Sequence, residues 1–205
     1  VCECERIDES VLNVVRMEGW QRAMGWRDTG LPWVMPSPNM PTLDTAAVYP
    51  GGCLVEGTKL SEGRGTTRPF ELWGGPEVDV VRLMELDLHG ASLRPVEFVP
   101  TFQKHAGRPC RGVQVHVNDP WVFRPYEAYL RMLAAVLPPL ALEERWRTET
   151  YEFVSNRPAI DLLTGGPEFR RAVDEGASID DVLAAEARGA AEFDGARREA
   201  WLYEK

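Results

Sequence analysis

The sequence predicts a mixed α/β or α+β chain, on three observations. Residues 111–117 (RGVQVHV) alternate Val113, Val115 and Val117 with Gln114 and His116, the two-residue period of a strand. Residues 124–136 set Tyr129, Leu130, Leu133 and Val136 on one face at helical spacing, behind Pro125. Eighteen glycines and sixteen prolines punctuate the 205 residues, which favours turns and functional loops over a bundle of long helices.

The elements follow in order. Residues 1–17 read as a helix tail running into a short strand, with Val11, Leu12, Val14 and Val15 as a buried run ended by Gly19. Residues 18–30 read as an ordered loop. Residues 31–41 (LPWVMPSPNMP) hold four prolines, and each removes an N–H donor and restricts its predecessor, so neither a helix nor a central strand fits. Residues 42–49 predict a short helix with Thr42 as N-cap; Thr45 stands where Glu would complete a capping box. Residues 50–58 predict a turn and a short buried strand from Cys53 to Glu56, and residues 57–69 form the loop richest in glycine and polar residues. Pro76 opens a predicted helix over 76–89. A composition shift after Gly74-Gly75 predicts a domain boundary, dividing the chain into 1–75 and 76–205. Residues 94–102 predict a further strand. Pro138-Pro139 end the 124–136 helix, Pro167 opens a short helix over 167–175, and Ser178 caps a long one over 178–203. The stripe Ile179, Val182, Leu183, Ala190, Phe193 and Trp201 on that last helix predicts core.

Composition narrows the function. Lys and Arg total 23 against 32 Asp and Glu, a formal net charge of -9. Duplex nucleic-acid binders carry a basic face or an alkaline pI, and anionic membrane surfaces attract basic segments, so both partners are excluded. No apolar run is long enough to span a bilayer, so no membrane insertion is expected. Cys2 and Cys4 form a C-x-C pair, while Cys53 and Cys110 stand alone. This is neither a disulfide framework nor a zinc spacing, and the expectation is isolated thiols, with no metal and no cofactor.

Reactive side chains crowd between Asn39 and Glu71: Asp44, Glu56, Lys59, Glu62, Arg64, Thr66, Thr67 and Arg68 lie between those two. The centre is Ser61-Glu62-Gly63-Arg64-Gly65-Thr66-Thr67-Arg68. Glycines flanking Arg64 allow close backbone approach to a ligand, and a planar guanidinium grips a carboxylate or phosphate in bidentate fashion. No G-K-[ST] follows, so this is not a P-loop. Pattern alone leaves two readings: a ligand-binding loop, or a Glu62–Arg64 ion pair bracing a turn. His116 faces away from its flanking valines and either lines a cleft or is a half-exposed strand residue. His105 sits in a Lys104-His105-Ala106-Gly107 turn, and no ligand spacing supports a metal there. Trp20, Trp26, Trp33 and Trp73 offer either faces for sugar stacking or packing at the core and its rim. No G-x-S-x-G elbow is present, and a Cys110–His116 dyad has no surrounding catalytic motif.

The stretch from Leu31 to Asp79 resembles the NamZ-like exo-β-N-acetylmuramidases, a family formerly described as a domain of unknown function. The resemblance rests on Pro36-Ser37-Pro38-Asn39-Met40-Pro41, Tyr49-Pro50-Gly51, Glu56-Gly57-Thr58 and Ser61 through Phe70. It continues through Phe102 to Val117 (FQKHAGRPCRGVQVHV), similar to a K-[HY]-x-G…C-x-G-V-x-[IL]-H-V segment, and through residues 157–205. The resemblance implies a bacterial glycoside hydrolase that releases N-acetylmuramic acid from the non-reducing ends of peptidoglycan fragments during cell-wall recycling. It implies a Rossmann-like domain followed by a smaller α+β domain, with the active site in the cleft between them. Residues 1–75 would finish the former and 76–205 form the latter. Peptidoglycan-derived muropeptides or disaccharides would be the partners, and a periplasmic or extracellular setting is favoured over a cytoplasmic one. Glu62 would act as a catalytic or sugar-orienting carboxylate. Arg64 or Arg68 would bind the lactyl carboxylate, and Asn39, Thr67, His105 and His116 would line the site. Members of the family run to about twice this length, so the chain corresponds to their rear portion, and the front portion would supply a second catalytic carboxylate. Glycosidases use two such groups, about 5–5.5 Å apart in retaining enzymes and about 6.5–9.5 Å apart in inverting ones. The alternative is a non-catalytic muropeptide-binding module.

Overall fold

The computed structural model describes Asp8 and residues 11–203. The chain divides into two compact units, one of Trp33–Arg188 and one of Val1–Pro32 with Gly189–Lys205. The boundary expected after Gly75 falls inside the first of these.

In the larger unit, helix α1 (Leu43–Gly52) begins where the sequence predicts, because the Thr42 hydroxyl accepts the Thr45 N–H and satisfies one of the helix's orphan donors. Pro50 lies within its last turn and has no N–H to return to Ala46, and the chain tightens into a 3-10 turn, Cys53–Gly57. That turn replaces the strand expected at Cys53–Glu56. Leu54 and Val55 are buried as predicted, but a short apolar run fits a buried turn as well as a strand.

Three antiparallel strands form the sheet: β1 (Leu72–Gly75), β2 (Ala91–Phe98) and β3 (Cys110–Val117), in the order β1-β3-β2. The fold is therefore α+β. Register sets Trp73 opposite Val113 and Leu93 opposite Val115, which directs Trp73, Val113 and Val115 into the core. Gln114 pairs with Leu72 on one side and Arg94 on the other, and His116 pairs with Ser92, so these residues share the opposite face. The helix expected over 76–89 shrinks to α2 (Val80–Met84), because Asp79 and not Pro76 is its cap: the Asp79 carboxylate accepts the Val81 N–H.

Helix α3 (Pro125–Val136) matches its predicted bounds, with proline at the first position and Tyr129, Leu130, Met132, Leu133 and Val136 buried. Packed against α1, α2 and the 3-10 turn, it is the centre of the core. Two short helices follow: α4 (Ala159–Leu163), which has no periodic signal in the sequence, and α5 (Glu168–Glu175), which ends on left-handed Gly176 as a glycine C-cap does. Asp161 on α4 is buried and meets Arg170 on α5 in a two-pronged pair at 2.7 and 2.8 Å. The last helix, α6 (Asp180–Arg198), opens behind Ser178, whose hydroxyl accepts the Asp180 N–H.

Its predicted stripe divides. Ile179, Val182 and Leu183 join the core, whereas Ala190 and Phe193 are exposed. In the smaller unit Arg22 lies 4.2 Å above the Trp201 ring, and Trp20 meets Tyr203 edge-on at 5.0 Å. The strand expected at residues 11–15 does not form. Val11, Leu12, Val14 and Val15 are exposed, and among the described residues no strand lies beside them to bond their backbone. The predicted helix tail before them, with Cys2 and Cys4, lies outside the described residues.

Candidate functional site

The loop from Ser61 to Glu71 is pinned at both ends and at its tip. Ser61 and Gly74 exchange backbone hydrogen bonds at 2.7 and 2.9 Å, and the Phe70 N–H donates to the Glu62 carbonyl at 2.6 Å. The Glu71 carbonyl accepts the Val115 N–H, which ties the loop's exit to β3. At the tip, the Gly65 carbonyl accepts both the N–H and the hydroxyl of Thr101, at 3.0 and 2.8 Å. Gly65 is left-handed (φ 81°), and a Cβ there would stand 2.7 Å from the backbone nitrogens of Thr101 and Phe102. The sequence pattern suggested close approach of this backbone to a ligand; at Gly65 the close approach is to the chain's own backbone at Thr101 and Phe102.

Glu62 is only 3% exposed. Its Oε1 lies 3.1 Å from Arg64 Nε, and its Oε2 lies 3.0 Å from Lys104 Nζ. Arg64 extends the network to Glu56 at 2.6 Å, and the other oxygen of Glu56 accepts the Tyr151 hydroxyl at 3.0 Å. Lys104 also donates to the carbonyls of Leu60, Val55 and Glu56, at 3.0, 3.1 and 3.4 Å. Burial lowers the Lys104 pKa, and the Glu62 charge partly restores it. Burial, with the Glu56 charge next, raises that of Tyr151 and keeps it a hydroxyl donor. The ion pair that pattern alone left open is therefore present, and it belongs to a five-residue network.

The remaining predicted residues are dispersed. Arg68, 43% exposed, stands 3.6 Å from Glu71, itself buried. Thr67 is exposed on the loop. Asn39 is half-buried in a turn where its N–H donates to the Ser37 hydroxyl. His116 is exposed on β3, two residues beyond Gln114 on the same face. His105, left-handed at φ 58°, bonds the Lys59 carbonyl through Nε2 at 2.9 Å. It lines a separate cavity of about 540 Å³ with Lys59, Glu77, Arg108 and Glu144, and burial lowers its pKa. The structure thus joins Glu62 to Arg64, leaves Arg68 to Glu71, and sets His105 apart from both.

Sequence reading named Glu56 and Glu71 only as members of a crowded stretch, and it passed over Lys104, although Lys104 opens the K-H-x-G segment. Trp73 is fully buried in the core and offers no face for a sugar. Cys110 is buried too, and burial raises its thiol pKa, which removes it as a nucleophile. No helix among the described residues is long and apolar enough to cross a membrane.

The sequence model described as exo-beta-N-acetylmuramidase NamZ, C-terminal, matches residues 47–203, and its N-terminal counterpart matches residues 3–44. The peptidoglycan beta-N-acetylmuramidase NamZ of Bacillus subtilis (strain 168) is 38% identical over 198 residues, covering 94% of this chain and 45% of that protein. A DUF1343 family protein from Bacteroides fragilis NCTC 9343 superposes with a TM-score of 0.81 at 26% identity, over 94% of this chain and 50% of its own. A second from the same organism superposes with a TM-score of 0.59 at 25% identity, over 83% and 44%. The chain spans about half the length of the relatives it matches.

Proposed function

Because the chain belongs to the NamZ exo-β-N-acetylmuramidase family, we propose that it serves a glycosidase releasing N-acetylmuramic acid from the non-reducing ends of peptidoglycan fragments. The observation that carries this reading is the match of both halves of the family, over residues 3–44 and 47–203, around a Ser61–Glu71 loop rigidly fixed to the sheet. The Rossmann-like character of the front portion is part of the proposal and rests on the family resemblance alone; the match over 3–44 supports membership in the family for the beginning of the 1–75 segment.

The substrate is a sugar carrying a lactyl carboxylate, and the two candidate arginines differ in what they have left to offer. Arg64 is spent on Glu56 and Glu62. Arg68 has one long contact and is 43% exposed. Arg68 is therefore the lactyl partner in our reading, with Asn39, Thr67 and His116 as further contacts. Glu62, enclosed between two cations, is suited to holding Arg64 and Lys104 in place. As a general acid it would need a proton and an open path to the glycosidic oxygen.

A chromogenic β-N-acetylmuramide tests this. The enzyme is expected to release the chromophore, and Arg68→Ala to raise KM about tenfold or more with little change in kcat, as loss of one charge-assisted contact would. Absence of release defeats the proposal. The burial of Glu62 also favours a second reading, a muropeptide-binding module. Calorimetric binding of N-acetylmuramic acid without turnover selects that one.

A further inference from the structure

The cavity of about 540 Å³ beside His105 has walls that are held in place. The Lys59 carbonyl can only accept, so the His105 Nε2 bonded to it carries the proton. Burial lowers the ring's pKa, so at pH 7 the ring is neutral and Nδ1 is an acceptor, with no partner among the described residues. The Lys59 N–H donates to the Arg145 carbonyl at 2.9 Å. The Arg145 guanidinium donates to the carbonyls of Pro138 and Leu140, at 2.6 and 3.0 Å, and so fixes the wall at Pro139 and Leu140. Gln103 and His105 are both left-handed, at φ 67° and 58°. Non-glycine residues rarely adopt that backbone, and its cost is carried most often where a side chain must be placed for a function.

Four charged side chains line this cavity, Lys59 and Arg108 with Glu77 and Glu144. None of the four makes an ion pair or a side-chain hydrogen bond among the described residues, whereas the neighbouring Arg145 is paired with Asp174. With His105 neutral the lining charges sum to zero. An ion of one sign is attracted by one pair and repelled by the other, while a ligand carrying both signs meets an opposite charge for each. The rest of the wall includes aliphatic Leu60, Val78 and Leu140, and no aromatic ring on which a sugar would stack. The volume falls in the range of small-molecule sites, about 300–1,000 Å³. A sphere of that volume is about 10 Å across, the span of about three extended residues. A second cavity of about 430 Å³ shares Lys59, His105 and Glu144, so the trough continues past His105.

We propose that this cavity binds a short peptide with a free ammonium and a free carboxylate, the carboxylate facing Lys59 or Arg108 and the ammonium facing Glu77 or Glu144. The site shares no residue with the sugar contacts proposed above, so the two readings stand or fall separately.

Titration of the chain with trialanine, followed by NMR of the His105 ring, tests the site. Trialanine is expected to move the ring resonances. Masking either end, as N-acetyl-trialanine or as trialanine amide, should weaken binding about tenfold, as loss of one charge-assisted contact would. Alanine, too short to reach charges across the cavity, should bind more weakly than trialanine. The double variant Lys59→Gln/Arg108→Gln should lose the preference for a free carboxylate and keep that for a free ammonium; Glu77→Gln/Glu144→Gln should do the opposite. Glu77, Arg108 and Glu144 are exposed and Lys59 is half-buried, so unfolding midpoints should stay at the wild-type value. The masked peptides test the wild type itself, whatever the variants do. Ring resonances unmoved by trialanine, equal affinity for the masked forms, or inorganic phosphate binding as well as trialanine would overturn the inference. So would preferences that survive in both double variants, or alanine binding as tightly as trialanine.

Discussion

Replacing Glu62 by Gln separates a chemical role from a structural one. The substitution keeps shape and removes one charge from a network in which Glu56 and Glu62 balance Arg64 and Lys104. Arg64 keeps its 2.6 Å bond to Glu56. Lys104 keeps three carbonyl acceptors but loses the carboxylate that pairs with it among the described residues, and stays largely buried. Breaking a buried pair by removing one partner costs about 3–5 kcal/mol, and the retained carbonyl bonds place this case near the lower end, at about 3 kcal/mol. For a chain of this size that is a fall in Tm of about 6–12 °C. The assay is urea and thermal unfolding of the wild type, Glu62→Gln, Lys104→Met and the double variant. The double variant removes both charges, so its loss should fall short of the sum of the single losses by a coupling of about 2 kcal/mol. A Glu62→Gln midpoint within about 0.5 kcal/mol of wild type, the range of ordinary surface changes, would refute the argument. So would additive single losses. If Glu62 is instead the catalytic carboxylate, the variant keeps its stability and loses about a hundredfold or more in rate on the chromogenic muramide.

Three further outcomes are expected. Gly65→Ala sets a Cβ against the backbone of Thr101 and Phe102 at a left-handed position, and should cost more than about 1 kcal/mol in urea unfolding; a neutral result would mean the loop tip is not held there. Asp161→Asn halves a buried two-pronged pair with Arg170 and should cost about 3 kcal/mol by the same assay, while a loss near zero would show the pair to be solvated. His105 has its pKa lowered by burial, so the unfolded ring takes up a proton near 6.5 while the folded ring takes it only at lower pH. The unfolded state then binds more protons over that window, and stability falls as pH drops from 6.5 toward the folded value. His105→Asn, which tolerates the left-handed backbone, should flatten that slope in urea midpoints measured against pH; parallel slopes would exclude His105 as its source.

What was legible in the sequence depended on whether the signal was local. Helix α3 was predicted to within one residue because Pro125 supplies a preset first turn and the buried stripe repeats at helical spacing. Strand β3 was legible from its valine alternation. Strand β1 was not, because Leu72-Trp73-Gly74-Gly75 has no alternation and becomes a strand only by pairing with β3. The α2 helix was overread since Pro76 and Asp79 are both start signals, and only the packing of Leu83 decides between them. The site followed the same rule. Glu62 with Arg64, two residues apart, was visible as one of two readings, whereas Lys104, Tyr151, Gln114 and Arg94 reach the loop from distant segments by tertiary contacts.

These distant partners also give the loop's two buried carboxylates different work. Glu62 faces two cations and has no hydroxyl donor, so its charge is balanced within the fold and its removal should be read out as stability. Glu71 faces two hydroxyls, an amide and one long guanidinium contact, so it balances little of the charge around it. The eight residues between them are bridged by the Phe70-to-Glu62 and Leu72-to-Arg68 backbone bonds, which fix Arg68 relative to the Glu62 network. These are main-chain bonds, so Glu62→Gln and Glu71→Gln both leave them in place, and any coupling between the two carboxylates is the same read from either side.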